Sequence, residues 1–496
     1  MNIMANMKLF ANTYLLMPLL LGSLLLTAGC AINPVSGQSD FVLLSEDKEI
    51  AIGRENHAEV IKQYGLYKDP ALQDYVQSIG EGLAAVSHRS NLIYRFTVLD
   101  SPQVNAFALP GGYIYITRGL LAYLNNEAEL AAVLGHEIGH VTARHGVRQH
   151  SAATATGILA GVLASQTGVQ GAGDLFNAIG TALVRGYGRE HELESDRLGA
   201  EYLARSGYDP MAMLEVIRVL KNQEVYDREL AEREGREPRV YHGVFATHPD
   251  NDTRLQEVVG QAQALQKQKA LSHVDRSTFL GHLEGLVYGD SEEQGVLHQN
   301  RFYHRELNIT LSFPEGWRIE NQPDQLVAIA PQNNGLLQVS ALDLNRRLTP
   351  REFMLQRLKL SDLQQGEEFR HHGLEGYTAL THSRTPYGER LARYIVIFLK
   401  DKAWVFRGVA KDSDEPYRFD RLIIDTAKSF RTLRSEERQL AEARRLHIIT
   451  AGASTRFAAL ARNSPLGTNA ESVLRLLNHF YPQGEPPAGM LLKIVR

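Results

Sequence analysis

The stretch from Asn126 to Ala143 admits few structures other than a helix buried on nearly every side. At about 100° per residue, Leu130, Leu134, Ile138 and Val141 fall on one aliphatic stripe. Ala128, Ala132, Gly135, Gly139 and Ala143 fall on a second face made of small residues. Two such faces place the helix in a core, with another backbone packed close against it. Asn126 is a suitable N-cap, and Glu129 stands in the capping-box position.

His136-Glu137-Ile138-Gly139-His140 lies inside this helix. Two imidazoles four residues apart share a face, one turn apart, and can reach one tetrahedral metal. Glu137 sits beside them, placed to act on a bound water. Between an aliphatic and a small-residue stripe, an unpaired ring would be costly to bury. Two hydrogen-bonded core histidines would meet that cost as well, but they leave Glu137 without a role.

A third ligand should come from another element, and acids cluster in Arg189-Glu190-His191-Glu192-Leu193-Glu194-Ser195-Asp196. Helical phase separates them. Glu192 and Asp196 share a face with Gly199, Ala200 and Leu203, whereas Glu190, Glu194, Arg197, Glu201 and Arg205 point the other way, as a solvated, salt-linked surface. Two acids on a core face demand compensation by a metal or by a hydrogen-bond donor on a ligand. Glu192 is therefore expected as a ligand, and Asp196 as the acceptor that orients a ligand histidine.

A chain of 496 residues exceeds one hydrophobic core and implies two to four domains. Apolar and charged fractions of 44% and 22% are those of an ordinary soluble globular protein and indicate neither a multi-span membrane protein nor a disordered tail. The net charge of -4, without any lysine- or arginine-rich block, argues against a nucleic-acid partner. Lys8, an apolar run from Leu15 to Leu26 and then Thr27-Ala28-Gly29-Cys30 read as a secretory signal. The run is too short for a comfortable transmembrane helix. Cys30 is the only cysteine, so no intramolecular disulfide can form. Its place after the signal core resembles the lipobox of bacterial lipoproteins, which implies lipidation at Cys30. Ala31 in the following position implies the outer membrane, with the protein facing the periplasm.

Along the chain, the spacing predicts helices with one β interruption from Ser45 to about Ala204. Asp69-Pro70 caps a helix that carries Leu72, Val76, Ile79 and Leu83. Tyr94, Phe96 and Val98 alternate like a strand, and Tyr113 to Thr117 is a second strand entered through Gly111-Gly112. The Ala- and Gly-rich stretch from Ser151 to Gly180 reads as packed helix or as a lid. A polar helical connector is expected from Gln261 to Arg301. Beyond it, Ile309 to Phe313, Leu326 to Ala330, Leu337 to Leu342, Arg393 to Phe398 and Ala403 to Val409 read as strands. Thr349 to Leu358 and Phe419 to Phe430 read as helices, making an α+β domain with an antiparallel sheet. The last sixty or so residues are expected to form a third small unit. No period of 30 to 45 residues marks a helical repeat array.

Together, His-Glu-x-x-His and the downstream Glu192-x-x-x-Asp196 resemble the zinc metallopeptidase family of gluzincins that holds HtpX, the CaaX prenyl endopeptidase, BepA and LoiP. Asn105-Ala106-Phe107-Ala108-Leu109-Pro110-Gly111-Gly112 and Thr247-His248-Pro249, with Arg254 six residues after the histidine, are similar to further stretches of that family. The resemblance covers roughly Phe41 to Leu265. It implies a mainly α zincin-like metalloprotease domain with a small β-sheet, and one Zn2+ held by His136, His140 and Glu192. It also implies Glu137 as the general base and Tyr113 to Thr117 as an edge strand, with Tyr113, Ile114 and Tyr115 pairing substrate backbone. His248 would donate to the oxyanion or occupy a fourth zinc position, and Arg254 would support Glu192 or the substrate carbonyl.

Phe313-Pro314-Glu315-Gly316-Trp317 and the element order after it resemble domains of the PsbP shape. The final segment, through Gly452-Ala453-Ser454-Thr455 to Leu491-Leu492-Lys493-Ile494-Val495, is similar to a degenerate LysM module, which implies peptidoglycan as a partner. The expected architecture is thus a signal over 1–30, a protease domain over 31–270, a connector over 271–302, a PsbP-like domain over 303–435 and a LysM-like unit over 436–496. The leading functional expectation is an endopeptidase for misassembled polypeptides of the cell envelope. Its rival is a chaperone-like or wall-associated binding lipoprotein, latched by His248.

Overall fold

A computed structural model of the chain describes residues 30–152, 154, 188–234 and 276–496. The expected signal segment, the stretch from 155 to 180, His248 and Arg254 lie outside the described residues. The chain divides into two compact units: residues 1–61, 66–286 and 446–496, and residues 62–65 and 287–445.

The first unit opens with β1 (Cys30–Ile32), antiparallel to β2 (Ser39–Phe41). Two helices follow, α1 (Glu46–Tyr64) and α2 (Pro70–Ala84). The start of α2 is the predicted one: the Asp69 carboxylate accepts from the Leu72 backbone N–H at 3.1 Å, and Pro70 opens the first turn. Leu72, Val76, Ile79 and Leu83 are all buried.

A three-stranded sheet comes next, formed by β3 (Arg95–Leu99), β4 (Ala106–Leu109) and β5 (Tyr113–Thr117), in the order β3-β5-β4. The tight β4–β5 turn needs glycine: Gly111 and Gly112 have φ of +81° and +88°, and a Cβ on Gly111 would stand 2.6 Å from the Ile50 Cα. The sheet order corrects one expectation. β5 is the central strand, parallel to β3 on one side and antiparallel to β4 on the other. Its backbone groups are spent on both neighbours, and Tyr113, Ile114 and Tyr115 are buried, so these three residues cannot pair a substrate strand. Within this sheet β4 lies at an edge.

After the one-turn α3 (Arg118–Leu121) comes α4 (Glu127–Thr142), buried without interruption from Glu129 to Thr142. Its N-terminus carries the predicted cap: the Asn126 side chain accepts from the Glu129 N–H at 2.9 Å, and the Glu129 carboxylate accepts from the Asn125 N–H at 2.7 Å. At the other end Glu49, buried on α1, receives Arg89 at 2.8 Å and Arg144 at 3.1 Å. Arg89 also donates to the Val141 carbonyl at 3.2 Å, placing its positive charge at the C-terminal end of the helix. Among the described residues, helices α5 (Arg189–Ser206), α6 (Ala212–Glu234) and α7 (Arg276–His282) follow.

The C-terminal segment belongs to this same unit. It runs as β18 (Arg444–Thr450), α9 (Phe457–Arg462), α10 (Ala470–Leu477) and β19 (Leu491–Val495), with β18 and β19 antiparallel from Leu446↔Val495 to Thr450↔Leu491. Lys493, fully buried, donates to the carbonyls of Ala122 at 2.6 Å and Leu124 at 2.5 Å. The Asn125 amide donates to the Leu477 carbonyl at 3.0 Å, and the His479 ring to the Tyr123 carbonyl at 2.9 Å. These bonds seize the turn that leads into α4. The expected free-standing unit over 436–496 is therefore corrected: a buried lysine and the Asn125 and His479 bonds make residues 446–496 part of the first unit, while 436–445 belong to the second. The connector expected over 271–302 is corrected too. Phe279, Leu280 and Leu283 are fully buried in the first unit, and residues from 287 onward belong to the second.

The second unit begins with the short strands β6 (Val287–Tyr288), β7 (Val296–His298), β8 (Arg301–His304) and β9 (Ile309–Ser312). Its main element is a seven-stranded antiparallel sheet of β10 (Arg318–Asn321), β11 (Gln325–Ile329), β12 (Gly335–Asp343), β13 (Gln364–His371), β14 (Leu374–Thr385), β15 (Gly388–Leu399) and β16 (Lys402–Ala410), ordered β10-β11-β12-β16-β15-β14-β13. On one face Leu337, Val339, Ile395 and Phe406 meet Ile423 and Ala427 of α8 (Asp420–Ser429). On the other, Val396 and Val405 meet Phe353 and Met354, from a turn capped by a Thr349–Glu352 capping box. β17 (Arg431–Thr432) closes a second small sheet against β9. The predicted strands and helices of this unit all appear. The strands missed are β6, β7, β8, β10, β13, β14 and β17, most of them short, and β13 is exposed along nearly its whole length, so that no apolar alternation marks it.

Candidate metal centre

The site forms where α4 and α5 cross. The small-residue face of α4 is what brings the two backbones together: a Cβ on Gly135 would lie 3.4 Å from the Gly199 Cα, and one on Gly139 only 3.0 Å from the Ser195 Cα and carbonyl oxygen. A Cβ on Gly199 would likewise stand 3.0 Å from the His136 backbone N, so Gly139 and Gly199 are the tight positions of the crossing and Gly135 lies at ordinary contact distance.

At this crossing His136, His140 and Glu192 converge. The two Nε2 atoms are 3.0 Å apart, Glu192 Oε2 is 3.6 Å from His136 Nε2, and Glu192 Oε1 is 3.5 Å from His140 Nε2. One donor atom from each of the three lies within 4.8 Å of the others, and all three residues are buried. Two imidazole nitrogens and a carboxylate are a donor set suited to zinc, with room for a further ligand. Glu137, 2% exposed, is held on the same turn of the helix.

Asp196, fully buried, places Oδ1 2.8 Å from His136 Nδ1. That bond puts the His136 hydrogen on Nδ1 and leaves the Nε2 lone pair facing Glu192, the arrangement a metal ligand requires. The helical phase of α5 thus separates Glu192 and Asp196 from Glu201, which pairs with Arg205 at the surface. Glu194 departs from the expected solvated role. Its Oε2 meets His145 Nε2 at 3.0 Å, and Arg148 at 3.4 Å. The hydrogen bond from His145 holds the Glu194 carboxyl below its ordinary pKa. His145 itself was missed: it stands five residues beyond His140, off the helical period, and only its burial reveals it. Burial pushes the His145 imidazole down as well, and the stacked His191 to about 4, so both are neutral rings at physiological pH.

A cleft beside the site is lined by Ala108 and Leu109 of β4, His140, Arg144 and Val147. The strand bordering the histidines is therefore β4 rather than β5. Tyr115 instead bonds through its hydroxyl to His57 Nδ1 at 2.8 Å, within a buried aromatic cluster with Phe107.

Residues 70–262, which enclose the whole constellation, match the model described as Peptidase family M48. The chain is 31% identical over 252 residues to the beta-barrel assembly-enhancing protease of Yersinia pestis, covering 49% of each chain. It is 29% identical over 251 residues to that of Escherichia coli (strain K12), with the same shares. To the mitochondrial metalloendopeptidase OMA1 of Schizosaccharomyces pombe it is 30% identical over 182 residues, 36% of this chain and 54% of the relative. The chain spans about half the length of these curated relatives. Among solved structures, cyanobacterial PsbP from Synechocystis overlays 28% of this chain and 96% of its own at 16% identity, with a TM-score of 0.23.

Proposed function

We propose that this chain, whose residues 70–262 match the model described as Peptidase family M48, is a zinc-dependent endopeptidase acting on misfolded or misassembled proteins of the bacterial cell envelope. One observation carries the reading: Glu192, from a distant segment, turns its carboxylate into the His136–His140 pair at 3.6 and 3.5 Å. A buried acid in that position is costly unless a cation balances it.

His136, His140 and Glu192 would hold a zinc ion, which when bound would supply a Lewis acid for a peptide carbonyl and for a water. Glu137 accepts the proton of the attacking water and delivers it to the leaving amine. Asp196 keeps His136 in the ligating tautomer. The edge of β4, next to His140, offers backbone groups to an extended substrate, a role taken over from β5. His248 completes the site as oxyanion donor or as a regulatory fourth ligand, with Arg254 supporting Glu192 or the substrate carbonyl. Cys30 carries the lipid that holds the chain at the periplasmic face of the outer membrane, and the C-terminal segment is the part that would meet peptidoglycan. The relatives named as beta-barrel assembly-enhancing proteases support an envelope protein as substrate.

Zinc content and casein cleavage of the wild type and Glu137→Gln test the reading together. The variant is expected to keep its zinc and lose turnover by about 10²–10⁴-fold. Normal cleavage by Glu137→Gln would remove this residue from the mechanism, and a wild-type chain that binds no zinc would end the proposal.

A further inference from the structure

We propose that His145, oriented by Glu194, is a positioning residue that fixes the tautomer of the metal-binding imidazole of His140. The inference rests on the metallopeptidase reading of the site and deepens it.

Past the end of α4, Arg144 takes a left-handed backbone conformation with φ of +56°, which ends the helix and takes His145 out of its period. His145 therefore comes to lie beside His140, fully buried. Its Nδ1 is 2.9 Å from His140 Nδ1, and its Nε2 is 3.0 Å from Glu194 Oε2. The Ser195 hydroxyl lies 3.3 Å from the same Nδ1, and the His191 ring stacks on the other face at 4.2 Å.

Two ring nitrogens facing each other can bond only if one carries a hydrogen and the other does not. For His140 to offer its Nε2 lone pair to a metal, its hydrogen must sit on Nδ1. That hydrogen points at His145, which must accept on Nδ1 and so carries its own hydrogen on Nε2. There the carboxylate of Glu194 receives it. A ligating His140 thus leaves the neutral chain from His140 through His145 to Glu194 one hydrogen pattern, and the carboxylate at its far end selects that pattern.

The two histidine ligands are supported unequally. His136 meets a carboxylate directly, through Asp196, whereas His140 meets one through an intervening imidazole. Carboxylates and carbonyls behind a ligand histidine typically govern metal affinity by 10–100-fold. Helical phase alone puts Glu194 on the outer face of α5; it reaches this chain because His145 comes to it.

The test strips the full chain of metal and titrates zinc back against a competing chelator, with the absorption spectrum of the cobalt(II)-loaded form as a second readout. His145→Phe keeps a ring but removes the acceptor, and zinc affinity is expected to fall about 10–100-fold, with a shift in the cobalt bands. His145→Asn returns a carbonyl acceptor near the Nδ1 position and should recover affinity to within roughly threefold of wild type, since the acceptor and not the ring is what the ligand needs. Glu194→Gln, at a side chain 24% exposed, tests the far end without touching the core and is expected to lose affinity by a smaller factor. Wild-type affinity in both His145→Phe and Glu194→Gln overturns the positioning role while leaving the metal site standing. Equal losses in the Phe and Asn variants would assign His145 to packing and overturn it as well. A wild-type chain that takes up no zinc instead overturns the metallopeptidase reading beneath.

Discussion

Gly139 of α4 packs directly on Ser195 of α5, so closely that a Cβ on the glycine would stand 3.0 Å from both the serine Cα and its carbonyl oxygen. The residue after Gly139 is a candidate ligand and Ser195 lies between the acids that flank it, so the contact sets how near the histidines come to Glu192. Gly139→Val is expected to destabilise the first unit by about 1–3 kcal/mol through overpacking. It should also weaken zinc binding at least tenfold, because the donor atoms separate. Thermal unfolding and zinc titration read the two effects, and wild-type affinity in this variant would show that the crossing distance does not set the site.

Removing the third donor should be more severe than removing its support. Glu192→Ala is expected to abolish stoichiometric zinc, while Asp196→Ala should bind zinc 10–100-fold more weakly and still be restored by excess metal. Elemental analysis after dialysis distinguishes the two. Equal retention of zinc by Glu192→Ala and the wild type would exclude that carboxylate from the donor set.

Lys493 ties the C-terminal segment to the entry of α4 by donating to the Ala122 and Leu124 carbonyls. Lys493→Met leaves buried acceptors without their donor, at a cost on the order of 1–3 kcal/mol. Deletion of residues 446–496 is expected to be worse, since it also removes the bonds from Asn125 to Leu477 and from His479 to Tyr123. A truncated chain that unfolds with the wild-type midpoint and keeps its zinc would show the segment to be an appendage after all.

The second unit carries a local acid-sensitive contact. Hydrogen bonds from Arg431, with the backbone N–H of Arg434 adding, bring the Glu437 carboxyl down to about 2 from its ordinary 4.5. A carboxyl depressed by folding contributes stability that is fully present above pH 4.5 and is lost as pH falls toward 2. Glu437→Gln should therefore lower the unfolding midpoint at pH 7 and flatten its decline between pH 4.5 and 2. Parallel pH profiles for variant and wild type would refute the assignment.

The periodic parts of this protein were legible before any tertiary contact was known. The two faces of α4, the Asp69 and Asn126 caps, the phase that puts Glu192 and Asp196 on one side of α5 and the buried strands of the second unit all follow from local rules. A 3.6- or 2-residue period and the needs of a helix end are satisfied within a few residues of sequence. Strand order is different in kind, because β5 could pair on one side or two, and only the return of β4 and the parallel arrival of β3 placed it in the middle. The same holds for His145 and Glu194, each unremarkable in its own helical frame, and for Lys493, whose carbonyl partners lie more than 350 residues away in the chain. Side chains like these take their roles from groups that the chain brings to them only when it closes on itself, and no local pattern records that meeting.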